Sequence, residues 1–519
     1  MQSRAFIIFL GGIGAVYVML SVLLAGGNSI GALSQFLALG SFILAVVQPR
    51  LALYIMVVYA GYSDLLKRMM VFDGHVTMND VMWVRALCPL TLAGICVGTL
   101  VRSLHDGSLY QRRRLVSLLV CILGFIVSAV SALRSGGGFN AAATQIADGA
   151  AYMFLLFVVP CIFRTPDQII AFIKYSLIVF IPVALYGLKQ QIFGLSDFEI
   201  EYLQSGLTVL SKHLDDVRPR PFSTLVDSSP FGTSCAVCAC LALMVRRHHR
   251  DTGSRTWGRM SGMLFVLFVA GCVASMTRFA NINWALPLLL LPVLRSARGT
   301  ATLYAFMAAL FFSACIFAQE LINGVTKLTL WALENFGGTA IGEQFARFWT
   351  ICDRLEGMYD LAHNPLMWTM FGYGTKGAAD MHEAHMVASH DLISNLLLEI
   401  GWLPLSLLLV VAALALHSFH RSVLGLRGTP VFSICLWMVG IVFGLLVHNI
   451  FAGNVTSTFP VNFFCWFIAG ALNACIIHQE SLRAKQPLPM QPVPRPFHAP
   501  HPAFARAESM PFNRTLPYG

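Results

Sequence analysis

Apolar runs close to the length of a bilayer crossing recur along almost the whole chain, and this constrains its fold more than any single motif. A helix needs about 20 apolar residues to cross the hydrocarbon core, and every backbone N–H and C=O inside it must be satisfied within the protein. Such segments lie near 5–25, 29–47, 51–61, 80–101, 115–134, 150–163, 168–193, 231–245, 259–277, 282–294, 301–318, 390–416, 431–450 and 460–477. Composition agrees. Apolar residues make up 57% of the chain and charged residues 12%, against roughly a quarter charged in a soluble domain. Mean hydropathy is +0.69. The expected class is all-α, a polytopic membrane protein with about 12–14 transmembrane helices. The first run, Ala5 to Ala25, is followed at once by another and reads as a retained span rather than a cleaved signal. The segment 51–61 is short and open to a re-entrant reading. The 13 cysteines lie nearly all in apolar runs and read as small membrane hydrophobes, with Cys352 alone in a long loop.

Short basic connections set the expected orientation. Arg102 and Arg112 to Arg114 flank one connection, and Arg246, Arg247, Arg250, Arg255 and Arg259 fill another. Arg295 with Arg298, and Arg421 with Arg427, fill two more. If the spans alternate, all four connections fall on one side, the cytoplasm. The other side receives long loops at 194–230 and 319–389, too long to be plain connectors. The second contains the amphipathic stretch Phe345 to Tyr359, which predicts short helices on the membrane face. The chain divides into an N-terminal transmembrane bundle (1–193), a core carrying both loops (194–485) and a Pro-rich tail (486–519) expected to be disordered.

A few polar residues stand out against this background. Arg218 and Arg220, stiffened by prolines in Val217-Arg-Pro-Arg-Pro221, precede a span. Arginine forks match phosphate oxygens and stay charged, although arginines near span ends also serve as plain anchors. Arg278 lies in a very short turn on the long-loop side, where a cation opposes the orientation bias. An anionic ligand is one reason for it, and an acid in the long loop is another. His382, His385 and His390 cluster before the apolar run that opens with Ser389-His-Asp391. His382 and His385 lack the spacing of a metalloprotease motif, and no metal and no cofactor are expected. A loop histidine is usually just solvated, so His390 gains weight only from its surroundings. Phe371-Gly-Tyr-Gly-Thr-Lys-Gly377 reads as a tight turn rather than a nucleotide loop.

Together these pieces resemble the O-antigen ligase and O-unit (exopolysaccharide) polymerase family of bacterial envelope glycan assembly. The likeness rests on Arg220-Pro-Phe-Ser-Thr-Leu225 with Pro230, on Thr277-Arg-Phe279, on Arg347 and Trp349, on Pro365-Leu366, on Gly372-Tyr-Gly374, and on His390-Asp391 followed by Glu399-Ile-Gly401. It covers roughly residues 210 to 410. Ser223 stands where the family has Gly, Leu225 where it has Phe, Phe279 where it has Gly and Asp391 where it has Asn.

The resemblance implies a GT-C-like membrane fold in the bacterial inner membrane with its active face towards the periplasm. It implies transfer of a glycan from an undecaprenyl-diphosphate carrier to a sugar hydroxyl, on a glycan or lipid-linked acceptor. Other proteins of polysaccharide assembly are implied as partners, and nucleic acid is not. Arg220, Arg278 and Arg218 would hold the diphosphate, and His390 would act as base. Glu399, Asp391 and Arg347 would support them. A polymerase is expected first and a ligase to lipid A core or protein second. A transporter without chemistry is the alternative of a different class. Transporters often show repeated halves with midplane binding residues, whereas the polar candidates here gather on one face.

Overall fold

The computed structural model describes residues 29–72, 78–134, 143, 146–205, 220–252, 255–337, 349–387, 392–452 and 458–485. The described residues are 88% helical, with no strand among them. The chain begins with α1 (Ser29–Val47), α2 (Pro49–Phe72), α3 (Met78–His105) and α4 (Arg112–Arg134). A 3-10 turn, Ala150–Phe154, leads into α5 (Leu155–Ile162), followed by α6 (Pro166–Phe193) and the short α7 (Asp197–Gln204). Next come α8 (Ser228–Thr252), α9 (Arg255–Ala274), α10 (Arg278–Leu294) and α11 (Ala297–Ile316). The second long loop holds α12 (Ala318–Phe336), α13 (Trp349–His363) and α14 (Gly374–Glu383). The chain then runs through α15 (Leu392–Ile400), α16 (Trp402–Leu424), α17 (Phe432–Ala452) and α18 (Val461–Lys485). Among the described residues, nine helices are long and apolar enough to cross a membrane: α3, α4, α6, α8, α9, α11, α16, α17 and α18. The protein is an all-α polytopic membrane protein.

Residues 1–478 form one compact unit; of the second unit, 479–519, only 479–485 are described. The expected first span and the Pro-rich tail lie outside the described residues. Within the first unit α8 is the central helix, with 89% of its apolar window buried. Small residues let its neighbours approach, as expected where helix packing in lipid depends on close van der Waals contact. A Cβ on Gly187 of α6 would lie 2.1 Å from the ring of Phe231, and one on Gly232 would lie 2.2 Å from Ser275 Oγ. Phe172 of α6 and Phe467 of α18 stack with ring centroids 4.6 Å apart, and Phe180 meets Phe464 at 5.1 Å.

The basic connections gather at one end of the bundle. Arg113 donates to Ser422 Oγ at 2.9 Å, and Arg427 donates to the carbonyl of Arg295. The two long loops lie at the other, the loop end. Residues 51–61, open to a re-entrant reading from sequence, lie largely in the first half of the 24-residue α2. The apolar run 390–416 is not one helix. It breaks at Gly401, whose φ is +85°, and the crossing helix α16 starts at Trp402.

The first long loop does not stay outside. Its last part, Pro221 to Leu225, is buried inside the helix bundle, an irregular stretch whose polar backbone needs partners. Arg68 of α2 donates to the carbonyls of Ser223 (2.6 Å) and Leu225 and lies over the Phe222 ring, 4.3 Å from its centroid. Gln190 Oε1 of α6 accepts the backbone N–H groups of Phe222 (3.1 Å) and Ser223 (2.6 Å). Thr224 Oγ1 donates to the Gly61 carbonyl at 2.6 Å. Glu199 of α7 balances the Arg68 charge at 3.6 Å, accepts from Gln190, and closes the capping box of its own helix through Ser196 N at 2.8 Å. Arg68 is 1% exposed and Glu199 is fully buried, so neither charge can fall back on water. Removing one member of a buried pair leaves the other uncompensated, at a cost of about 3–5 kcal/mol. Arg68→Met should therefore lower the melting temperature in detergent sharply, and adding Glu199→Gln should recover part of the loss. A single variant that melts like the wild type would remove Arg68 as the anchor of this segment.

Candidate functional site

Arg278 opens α10 at the loop end, directly after Thr277. The structure brings it beside Arg354 of α13, from the second long loop. The Arg354 guanidinium lies over the Phe279 ring, 4.5 Å from its centroid. On Phe279 packs the ring of His448 from α17, with centroids 5.4 Å apart. His448 Nδ1 meets the Asn283 side-chain nitrogen at 2.5 Å. With the amide donating, Nδ1 accepts and the imidazole proton lies on Nε2. Burial, and then the like charge of Arg278, push the Arg354 guanidinium below the ordinary arginine value, while neighbouring Asp353 pulls it back. An arginine does not discharge under such pressure. A pair of cations held together in a half-buried setting is relieved by an anion placed between them.

Arg220 heads the buried segment and is itself only partly exposed, so it stands where the anchored chain emerges. That segment leads into α8, whose Gly232 packs against Ser275 and Ala280 at the α9–α10 turn. The close approach therefore sets the start of α8, which follows the Arg220 segment, against the Arg278 turn.

A second assembly surrounds the break at Gly401. Gly372 (φ +66°) and Gly401 (φ +85°) touch backbone to backbone: a Cβ on Gly401 would lie 2.4 Å from Gly372 N, and one on Gly372 would lie 2.6 Å from the Glu399 carbonyl. The loop satisfies the groups freed by the break. Tyr373 N donates to the Leu398 carbonyl at 2.7 Å, and Trp402 N donates to the Thr369 carbonyl at 3.0 Å. Arg134, the last residue of α4, clamps the loop by donating to the carbonyls of Phe371 (2.5 Å) and Gly372 (3.2 Å). The two glycine-bearing motifs picked out in the sequence are thus one contact. Glu399 lies on the inner side of this clasp, on α15, ahead of the crossing helix. Burial pushes its carboxyl from the ordinary 4.5 up to about 7.

Of the residues expected from sequence, Arg220, Arg278 and Glu399 are in the described parts. Arg218, Arg347, His390 and Asp391 lie outside the described residues. His382 Nδ1 faces the Val387 carbonyl at 3.3 Å, and His385 adopts φ +54° in the turn after α14. Among the described residues, no group of three or more His, Cys, Asp or Glu side chains is arranged to hold a metal ion. Sequence reasoning missed Arg68, Arg354 and His448. Arg68 carried a usable signal, since Lys67-Arg68 places cations at the loop end of α2, against the same bias that singled out Arg278. Arg354 and His448 carried none, one lying in an amphipathic helix and the other in an apolar run.

The raised carboxyl makes stability depend on pH. Between pH 4.5 and about 7 folded Glu399 keeps a proton that the unfolded chain has lost. Folded stability therefore falls as pH rises through this window, and the deficit is complete above it, at about 3 kcal/mol. Glu399→Gln removes the titration. The variant should melt higher than wild type at pH 8 and about equally at pH 4. A difference independent of pH would overturn this account.

No family model matches the sequence, and no curated protein matches it either.

Proposed function

We propose that the protein is an integral membrane glycosyltransferase of the O-antigen ligase and O-unit polymerase type, acting at the periplasmic face of the bacterial inner membrane. The observation that carries the reading is that Arg354 lies over the Phe279 ring, close enough to Arg278 to feel its charge, at the loop end of the bundle. Two guanidinium forks suit a lipid diphosphate, which has a pair of phosphates and must be held where membrane meets water. Arg220 completes the cationic side.

In this reading the donor is a glycan on undecaprenyl diphosphate. His390, as general base, takes the proton of the acceptor sugar hydroxyl. The hydroxyl oxygen attacks the anomeric carbon opposite the diphosphate, and the bond from that carbon to the diphosphate oxygen breaks. The lipid diphosphate leaves with the bonding electrons, and Arg278, Arg354 and Arg220 stabilise the charge that develops on it. The anomeric carbon is inverted. No metal is needed, because fixed guanidinium groups meet the charge. Polymerisation of lipid-linked repeat units is the favoured outcome, with ligation to lipid A core or protein as the alternative.

The test is transfer by purified protein from a polyprenyl-diphosphate glycan in excess EDTA, with products resolved by gel. Lengthened lipid-linked glycan marks a polymerase, and glycan moved onto lipid A core marks a ligase. Arg278→Lys and Arg354→Lys should each lower turnover by about 10²-fold. His390→Ala should abolish it in protein that still inserts. Normal turnover in both Lys variants would make the arginines structural, and a strict metal requirement would defeat the account of the developing charge.

The sidedness is open to its own test. A cysteine between 338 and 348 should react with an impermeant thiol reagent in intact spheroplasts, and one at 253 or 254 should react only after lysis. The opposite pattern would place the arginine pair in the cytoplasm and end this reading.

A further inference from the structure

A cavity of about 290 Å³ lies between α4 and α15, near the lower end of the roughly 300–1,000 Å³ range of ligand pockets. Its α4 wall is Gly124, Val127, Ser128 and Ser131, one face of a helix at helical spacing. Its α15 wall is Leu392, Leu396, Glu399 and Ile400, again one face. Met153 and Trp466 line it from the bundle side, and Leu408 of α16 from the flank. The lining is mostly hydrocarbon, with a single carboxyl. The neighbouring faces are those a membrane protein turns to lipid: Leu119, Ile126 and Val130 of α4 are 55%, 51% and 52% exposed, and Leu407 and Val410 of α16 are 62% and 56% exposed. Only 28% of the α4 apolar window and 6% of that of α16 are buried, so the slot is flanked by spans that the protein itself does not cover.

We propose that this cavity is a lipid-chain site, in which one hydrocarbon chain lies between α4 and α15 with its first neutral polar group, an ester, ether or amide, hydrogen-bonded by the Glu399 carboxyl. The apolar walls exclude a sugar, whose many hydroxyls would lose their water for few partners. They equally exclude an anionic head group, which would face a carboxyl and no cation among the lining residues. A carboxyl that burial keeps protonated up to about pH 7 can donate to an ester or amide oxygen, which an ionised one cannot. The chain is therefore acyl, with the ester of a phospholipid at its head end, because a polyprenyl carrier has no neutral polar group between its chain and its anionic phosphate.

The site is separate from the arginine pair and does not rest on the transfer reading. Its test reads occupancy, not activity. Full-length protein is reconstituted with a phosphatidylethanolamine carrying a diazirine in its acyl chain, or with an isoprenyl phosphate carrying one in its isoprenoid chain. After irradiation, adducts are mapped by peptide mass spectrometry. Adducts of the acyl probe should concentrate on 124–131 and 392–400, and concentration of the isoprenyl probe there instead would overturn the proposal. Val127→Phe, which fills the slot from one wall, and Leu396→Phe, which fills it from the other, should each remove most of that labelling. Leu119→Phe, on the lipid-facing side of α4, should leave it unchanged. Each variant is scored only where its elution and melting match wild type, and having one variant on each wall keeps the test available if the other misfolds. Labelling spread evenly over exposed faces, or unchanged by both filling variants, would overturn the proposal, whatever the transfer assay shows.

Discussion

The buried pair of Arg68 and Glu199 is the interaction on which the loop end depends. A membrane bundle has no water with which to satisfy irregular backbone, so a non-helical stretch persists inside it only when side chains take over that role. Arg68 does so with a guanidinium that bridges the Ser223 and Leu225 carbonyls, and Gln190 does so from the other side. A guanidinium in such a place is itself costly, and Glu199 offsets that cost while capping α7. One carboxylate thus fixes a short helix, a buried cation and, through that cation, the chain that presents Arg220. The same logic governs the break at Gly401, where loop residues 369–373 satisfy the groups that the interrupted helix leaves open.

With that frame rigid, the cations at its rim acquire chemical meaning. Arg278 and Arg354 come from elements far apart in the chain, and their repulsion opposes the packing of α13 over α10. Such an arrangement persists because other contacts over-determine it. Met358 and Leu361 of α13 bury with Leu397 and Leu398 of α15, and Arg354 rests on Phe279. Preorganised charge of this kind favours an anion whose charge grows during reaction, since no reorganisation is needed when it appears. A transporter has no use for that property beyond binding, and this is the physical reason for preferring transfer over transport.

The spans, the shared end of the basic connections and the helices of the second long loop were legible in the sequence because each rests on local composition. The contacts between distant residues were not. In a segment that is apolar all round, no periodicity reveals which face turns inward, so the orientation bias could single out Arg68 but not show what it holds, and His448 could not be told from a satisfied membrane histidine. The break at Gly401 was hidden for the same reason: apolar residues continue across it, and only a positive φ marks it. Gly372-Tyr-Gly374 and Glu399-Ile-Gly401 could be found separately, but that they are one contact needed coordinates.

The departures from the sequence pattern that the chain resembles are physically informative. Ser223 holds φ +56°, in the left-handed region that glycine enters freely and that costs another residue roughly 1–2 kcal/mol. Its hydroxyl donates to the Val183 carbonyl at 2.5 Å, a bond glycine could not make, and this offsets the strain. Phe279 likewise stands in place of a residue without a side chain, and its ring carries both the Arg354 guanidinium and the His448 imidazole. A glycine there would let the chain pass close to a ligand, whereas a phenyl ring fills that space and supplies a negative face to steady a second cation.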